Sequence, residues 1–219
     1  MTINIYSIFP SIDGEVSGYH QGRMSIFIRF AGCNVRCRYC DTGYALEMKS
    51  ATCEMTPKQI VEKVSSYGIN KVTITGGEPL LQAAGLNALT KLLYRKGFDI
   101  SVETNGTLPI DLSYGVGSWV VDYKLPSSGV HKFHEDTFLK LDQMDFVKFV
   151  IMDRTDYLEA LNFKDHLQEW GKSRCHFAFA PVHDKISADT LIAWLLEDRV
   201  SDAIINVQLH KVLNLKEMP

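Results

Sequence analysis

Ser25–Thr42, SIFIRFAGCNVRCRYCDT, places a β-branched and aromatic run directly before a loop that carries three cysteines. Ser25–Phe30 fits a strand, so Cys33, Cys37 and Cys40 belong to the connection at its carboxyl end. The same pattern recurs at Lys71–Thr75 (KVTIT), Asp99–Thr104 (DISVET), Trp119–Tyr123 (WVVDY), Phe146–Ile151 (FVKFVI), His176–Ala180 (HFAFA) and Ala203–Val207 (AIINV). Helical patterns fall between these runs. Thr56, Pro57 and Gln59 supply an N-cap, a proline at the first helical position and a capping-box partner, after which Ile60, Val61 and Val64 share one face. Leu86, Leu89 and Leu93 repeat that spacing before Gly97, and helices are also expected over Asp156–Trp170 and Ala188–Glu197. Strand–helix–strand alternation implies a parallel sheet with helical crossovers. A closed barrel of eight such units typically occupies about 250 residues. With 219 residues, and no helix expected in the first 50, the α/β fold predicted is a partial, open (β/α) TIM-like barrel forming a single domain over residues 1–219.

The bulk numbers exclude several classes. The net charge is −3 with no basic block, which argues against a nucleic-acid partner. No apolar run approaches the ~20 residues that cross a bilayer, and Met1–Tyr6 lacks the regions of a secretion signal. A cytoplasmic location without a membrane partner is expected. In that compartment thiols stay reduced, so five cysteines, three of them within eight residues, favour metal or catalytic chemistry over disulfides. Cys53 and Cys175 stand apart and fit small packing residues.

The spacing Cys33-x3-Cys37-x2-Cys40 offers three thiolates to a [4Fe–4S] cube and leaves one iron open. A zinc or structural cluster site wants four ligands, usually from paired Cys-x2-Cys units, and no second pair exists here. Thr75-Gly76-Gly77-Glu78-Pro79 follows another strand, where two glycines permit close backbone approach to a ligand and Glu78 offers an acceptor to an amine. Taken alone, the glycine pair also fits an ordinary turn. Arg29, within an apolar strand, offers a planar charged fork suited to a carboxylate, or points to solvent from a strand face.

The three cysteines, with Tyr39 before the last and Gly76-Gly77-Glu78 downstream, resemble the radical S-adenosylmethionine superfamily. That resemblance implies a barrel of the radical SAM type and a [4Fe–4S] cluster whose open iron binds S-adenosylmethionine for one-electron cleavage to a hydrogen-abstracting radical. Further stretches narrow the match: Ser11–Glu15, Ile28–Cys33, Cys40–Thr42, Glu103–Thr107, Asp122–Gly129 and Gln208–Lys211 are similar to the 7-carboxy-7-deazaguanine synthase family across nearly the whole chain. The resemblance implies a Mg²⁺-assisted lyase of queuosine biosynthesis, acting on 6-carboxy-5,6,7,8-tetrahydropterin as a homodimer, with an electron donor such as flavodoxin. It assigns Tyr39, Cys40, Asp41, Gly77, Glu78, Asp122, Tyr123, Lys124, Ala180, Pro181, Val182 and His183 to the cofactor, with Glu103 nearby. It assigns Thr42 to Mg²⁺, and Ile12, Asp13, Gly14, Glu15, Arg29, Thr75, His210 and the terminal Pro219 to the pterin. Two departures stand out. Asp13 replaces the family's usual glutamine, which donates as well as accepts, and Val16 replaces a glycine. The rival readings are a glycyl-radical activase or another small radical enzyme, which need neither Arg29 nor Thr42, and a non-catalytic iron–sulfur protein, which needs a fourth ligand.

Overall fold

The computed structural model describes residues 1–110, 114–170 and 174–215. Among them lie strands β1 (Ile3–Ile12), β2 (Met24–Phe30), β3 (Cys53–Met55), β4 (Lys71–Gly76), β5 (Asp99–Thr104), β6 (Ser118–Tyr123), β7 (Phe146–Ile151), β8 (His176–Pro181) and β9 (Ala203–Ile205). They form one sheet in the order β3-β1-β2-β4-β5-β6-β7-β8-β9. From β2 onward in that order every pairing is parallel, whereas β1 runs antiparallel to both β2 and β3. The sheet ends at β3 and β9, so the barrel is open, as expected.

Among the described residues six α-helices accompany the strands: α1 (Pro57–Ser65), α2 (Ala83–Arg95), α3 (Glu135–Leu139), α4 (Arg154–Glu169), α5 (Ala188–Glu197) and α6 (Leu209–Val212). The capping box of α1 is present in both directions, Gln59 N to Thr56 Oγ1 at 3.3 Å and Thr56 N to Gln59 Oε1 at 2.8 Å. Such a box satisfies two otherwise orphaned backbone donors. Asp153 and Ser187 cap α4 and α5 in one direction, accepting from Asp156 N at 2.9 Å and Thr190 N at 3.1 Å. Gly97 takes φ +80° where α2 ends, a conformation that costs glycine little.

Alternation along the parallel strands divides the interior in two. Ile26, Ile28, Phe30, Val72, Ile74, Ile100, Val102, Val121, Val147 and Phe149 point outward and bury against helix residues such as Ile60, Leu89, Leu93 and Phe163. Each such side chain contributes on the order of 1.5–3 kcal/mol on full burial. The intervening residues point into the barrel, and many are polar: Ser25, Arg29, Lys71, Thr73, Thr75, Ser101, Glu103, Asp122 and Lys148. A small apolar plug of Val16, Val120, Phe146 and Ala178 also lies on this inner side.

Near the start of β4, Lys71 and Asp13 form an ion pair with side-chain exposures of 0% and 2%. Lys71 Nζ also donates to Thr73 Oγ1 at 3.0 Å and Ser101 Oγ at 3.1 Å, and Ser17 Oγ donates to Asp13 Oδ2 at 2.9 Å. Asp13 is therefore fully engaged within the barrel.

Candidate active site

The carboxyl ends of the parallel strands surround a cavity. Its walls include Gly14, Glu15, Arg29, Cys33, Cys37, Tyr39, Cys40, Asp41, Thr42, Thr75, Gly77, Glu103, Asp122, Lys124, Lys148, Ala180, Pro181, Val182, His183 and His210. This is the end at which βα barrels build their sites. Most of the residues selected from the sequence thus converge, and four do not. Ile12 and Asp13 lie off the cavity wall, Asp13 because Lys71 holds it. Glu78 is fully buried behind the wall, and its carboxylate accepts from Leu80 N at 2.9 Å, Thr104 Oγ1 at 2.8 Å and Asn105 N at 2.7 Å. Burial lifts Glu78 to about 6 against those three donors, and its carboxylate braces the β4 and β5 ends from behind. Tyr123 is the fourth. It alternates with the inward Asp122 and Lys124, stacks on Phe163 of α4 at 3.6 Å and donates to Glu159 at 3.1 Å. Pro219 lies outside the described residues.

The cysteine loop rests on backbone. Gly32 N donates to Ala45 O at 2.8 Å, Gly77 N to Phe30 O at 3.0 Å and Glu78 N to Gly32 O at 2.7 Å. A Cβ on Gly77 would collide with the Gly32 carbonyl, and Gly76 takes φ +135° with Phe30 backbone against its α-carbon. Glycine is required at both positions because the two loops touch main chain to main chain. Cys33, Cys37 and Cys40 are half-buried free thiols facing the cavity, and Asn105 Nδ2 lies 3.8 Å from Cys33 Sγ. Burial pushes the Cys33 and Cys37 thiols up. Three thiols and no fourth cysteine on one loop fit a cube with an open iron. Among the described residues no three His, Cys, Asp or Glu side chains gather closely enough to hold a single ion. A cube takes one thiolate per iron, so its ligands stand further apart.

The cavity walls carry opposite charges in contact. Lys124 Nζ binds Asp122 Oδ2 at 2.7 Å, and Lys148 Nζ stands 3.2 Å from Asp122 Oδ1 while also pairing with Glu15. Burial acts to raise Asp122, but Lys124 and Lys148 outweigh it and hold it below the ordinary range. Glu103 accepts from Thr75 Oγ1 at 2.7 Å. Burial, reinforced by the Glu15 charge, pushes it up to about 7 in spite of Lys148. Arg29 has Phe9 and Tyr44 rings 5.9 and 5.6 Å from its guanidinium carbon, and its Nε is buried without a hydrogen-bond partner. Thr42 Oγ1 lies 3.5 Å from Gly76 O and 3.6 Å from Cys40 Sγ. Over the mouth, α6 is fastened by Gln208 to Glu15 at 2.8 Å, Lys211 to Asp41 at 3.3 Å and Leu209 N to Gly14 O at 2.9 Å. His210 packs on Gly14, where a Cβ would strike its ring.

Lys148 is the main site residue that the sequence reading passed over. Its signal was a lysine at the centre of the apolar run Phe146–Ile151.

An open βα barrel with a three-cysteine loop at its carboxyl end defines a radical S-adenosylmethionine enzyme, and residues 27–114 match the Radical SAM superfamily. The 7-carboxy-7-deazaguanine synthase of Clostridium acetobutylicum is 34% identical over 97% of this chain and 96% of its own length. That of Chlorobaculum tepidum is 36% identical over 96% and 94%. The crystal structure of QueE from Escherichia coli matches with a TM-score of 0.76 and 25% identity, covering 95% of this chain and 94% of that one. Streptococcus suis SuiB shares the fold alone, with a TM-score of 0.51 and 13% identity over 81% of this chain and 47% of its own. The chain belongs to the 7-carboxy-7-deazaguanine synthase family. Membership implies a [4Fe–4S] cluster and S-adenosylmethionine.

Proposed function

We propose that this chain converts 6-carboxy-5,6,7,8-tetrahydropterin into 7-carboxy-7-deazaguanine with loss of ammonia, as a carbon–nitrogen lyase of queuosine biosynthesis serving tRNA modification. Arg29 carries this assignment. Its partnerless buried Nε and ring-flanked guanidinium offer a half-buried fork for a carboxylate, and charge-assisted bidentate contacts are the strongest such interactions. Arg29 lies on β2, four residues before Cys33, so a carboxylate held there lies beside the cysteine loop. Glu15 and Glu103 offer acceptors to the N–H groups of a pterin, and Thr75 orients Glu103.

Cys33, Cys37 and Cys40 would hold the cluster. Tyr39, Asp41, Gly77, Asp122, Lys124 and Ala180–His183 would hold S-adenosylmethionine. Together the two groups supply a hydrogen-abstracting radical. The chain binds, orients and excludes water around them, and α6 covers the mouth. Thr42 offers one hydroxyl to Mg²⁺, whose remaining oxygens would come from substrate and water, as this ion commonly arranges. The assignment carries with it one radical SAM domain over residues 1–219, a homodimer, a flavodoxin-type electron donor and a cytoplasmic location.

Anaerobically reconstituted protein, given the carboxypterin, S-adenosylmethionine and a reductant, should form the deazapurine. Cofactor cleavage without pterin consumption would refute the substrate assignment. Added Mg²⁺ should raise turnover of metal-stripped enzyme, and Thr42→Val should weaken that response. Equal rates with and without Mg²⁺ would remove the ion from the mechanism.

A further inference from the structure

Lys148 sits between Phe146 and Val150 on the inward face of β7, and its ammonium meets carboxylates from two other elements. One is Glu15, in the connection between β1 and β2; the other is Asp122 on β6, at 3.2 Å. The side-chain exposures of Lys148, Glu15 and Asp122 are 9%, 14% and 17%. A desolvated ammonium survives only with such partners, so both carboxylates are bound to it. Asp122 also binds Lys124 at 2.7 Å, next to Tyr39 and the cysteine loop. Glu15 also accepts from Gln208 at 2.8 Å, next to Gly14 and His210.

We propose that Lys148 is a positioning residue, whose ammonium ties the cofactor-side wall at Asp122 to the substrate-side wall at Glu15 and so sets the register in which the two bound molecules meet. The inference rests on the assignment of this cavity to S-adenosylmethionine and a carboxypterin. A register error of about 1 Å can cost roughly 10²-fold in rate. The tie also governs the charge of the cavity. Glu103 on β5 is faced by Glu15 and Asp13 from the β1–β2 connection, by Thr75 from β4 and by Lys148 from β7, and Arg29 of β2 and Lys124 line the same cavity. The Lys148 ammonium draws the titration of Glu103 downward.

The test compares Lys148→Met and Lys148→Arg with wild type as reconstituted enzymes, with thermal unfolding as the check on folding. Equilibrium binding of the carboxypterin is followed by titration calorimetry across pH, beside the ratio of 5′-deoxyadenosine released to deazapurine formed. Lys148→Met should weaken pterin binding about tenfold or more and move the midpoint of its pH dependence upward. It should also raise the 5′-deoxyadenosine ratio, because the cofactor is then cleaved without productive contact. Lys148→Arg, which keeps the charge, should return the pH midpoint to the wild-type value and recover part of the affinity. If Lys148→Met does not fold, Lys148→Gln carries the same comparison. A folded variant without the charge that keeps the wild-type ratio and midpoint overturns the inference alone. A wild type that binds no pterin overturns the functional assignment and the inference with it.

Discussion

The Asp13–Lys71 pair offers a direct test of how the barrel interior is held. Its side chains are 2% and 0% exposed, so neither charge can be solvated if its partner is removed. Lys71→Met leaves Asp13, among the described residues, with the Ser17 hydroxyl as its side-chain donor. Breaking one side of a buried pair costs about 3–5 kcal/mol. For a chain of this size that is a fall in Tm of roughly 6–20 °C, at about 2–4 °C per kcal/mol. Replacing both partners, in Asp13→Leu/Lys71→Met, removes the stranded charge and should leave stability within about 1 kcal/mol of wild type. The single deficits should therefore be strongly non-additive in a double-mutant cycle. The pH dependence follows from the same carboxyl. Burial pushes Asp13 up in the wild type while Lys71 draws it down, and the net shift is upward. Without Lys71 it rises further. A carboxyl raised in the fold is protonated there but charged in the unfolded chain, so the fold loses stability as pH climbs through the raised value. The Lys71→Met deficit should be smallest near pH ~4 and largest near pH ~8, measured by thermal or urea unfolding at each pH. A pH-independent deficit, or a double variant as damaged as the sum of the singles, would refute the account.

Cys33→Ala, Cys37→Ala and Cys40→Ala should each abolish the absorption of the reconstituted cluster, whereas Cys53→Ala and Cys175→Ala should retain it; dependence on either outer cysteine would break the three-ligand assignment. Arg29→Lys should bind the carboxypterin roughly tenfold or more weakly, since an ammonium cannot make the bidentate contact and a charge-assisted bond contributes about 1.5–3 kcal/mol; unchanged affinity in a binding titration would remove Arg29 from the site. Tyr123→Phe should leave S-adenosylmethionine affinity unaltered and lower stability by about 1 kcal/mol through loss of the bond to Glu159, and a weakened cofactor affinity would return Tyr123 to the cavity.

Strands β4 to β8 were legible because β-branched and aromatic residues recur at every second position along them, the positions that bury against the helices. The strand β1 was not. Pro10 breaks its pattern and is tolerated because β3 pairs only with Ile3, Asn4 and Ile5, leaving the later residues at an edge. The cysteine loop and glycine pair were legible because their chemistry demands a spacing. Motif position alone does not say which way a side chain turns, so the resemblance assigns Glu78 and Tyr123 to the cofactor although neither lines the cavity. Glu78 turns to three donors behind it, and Tyr123 alternates outward. Lys148 and Lys71 escaped notice because a lone lysine in an apolar run is interpretable only with its partner. Glu15 is 133 residues from Lys148 in sequence, and Asp13 is 58 from Lys71. The same distance hid the role of Asp13: as a departure from the family's glutamine it suggested altered pterin contacts, whereas in the fold it neutralises a lysine.

The main-chain contact between the Gly32 loop and the Gly76–Gly77 turn bears on how such a chain diverges. Phe30 O to Gly77 N and Gly32 O to Glu78 N leave no side chain between the cysteine loop and the turn beside it. Their spacing is therefore set by peptide dimensions, which mutation cannot alter, and not by the fit of apolar residues, which every core substitution disturbs. Inward positions on β5 to β8 can be exchanged, and the substrate wall reshaped, while the geometry next to the three thiols stays constant. Relatives that share only 34–36% of their residues with this chain can thus differ widely in the barrel without rebuilding the part of it that tolerates no error.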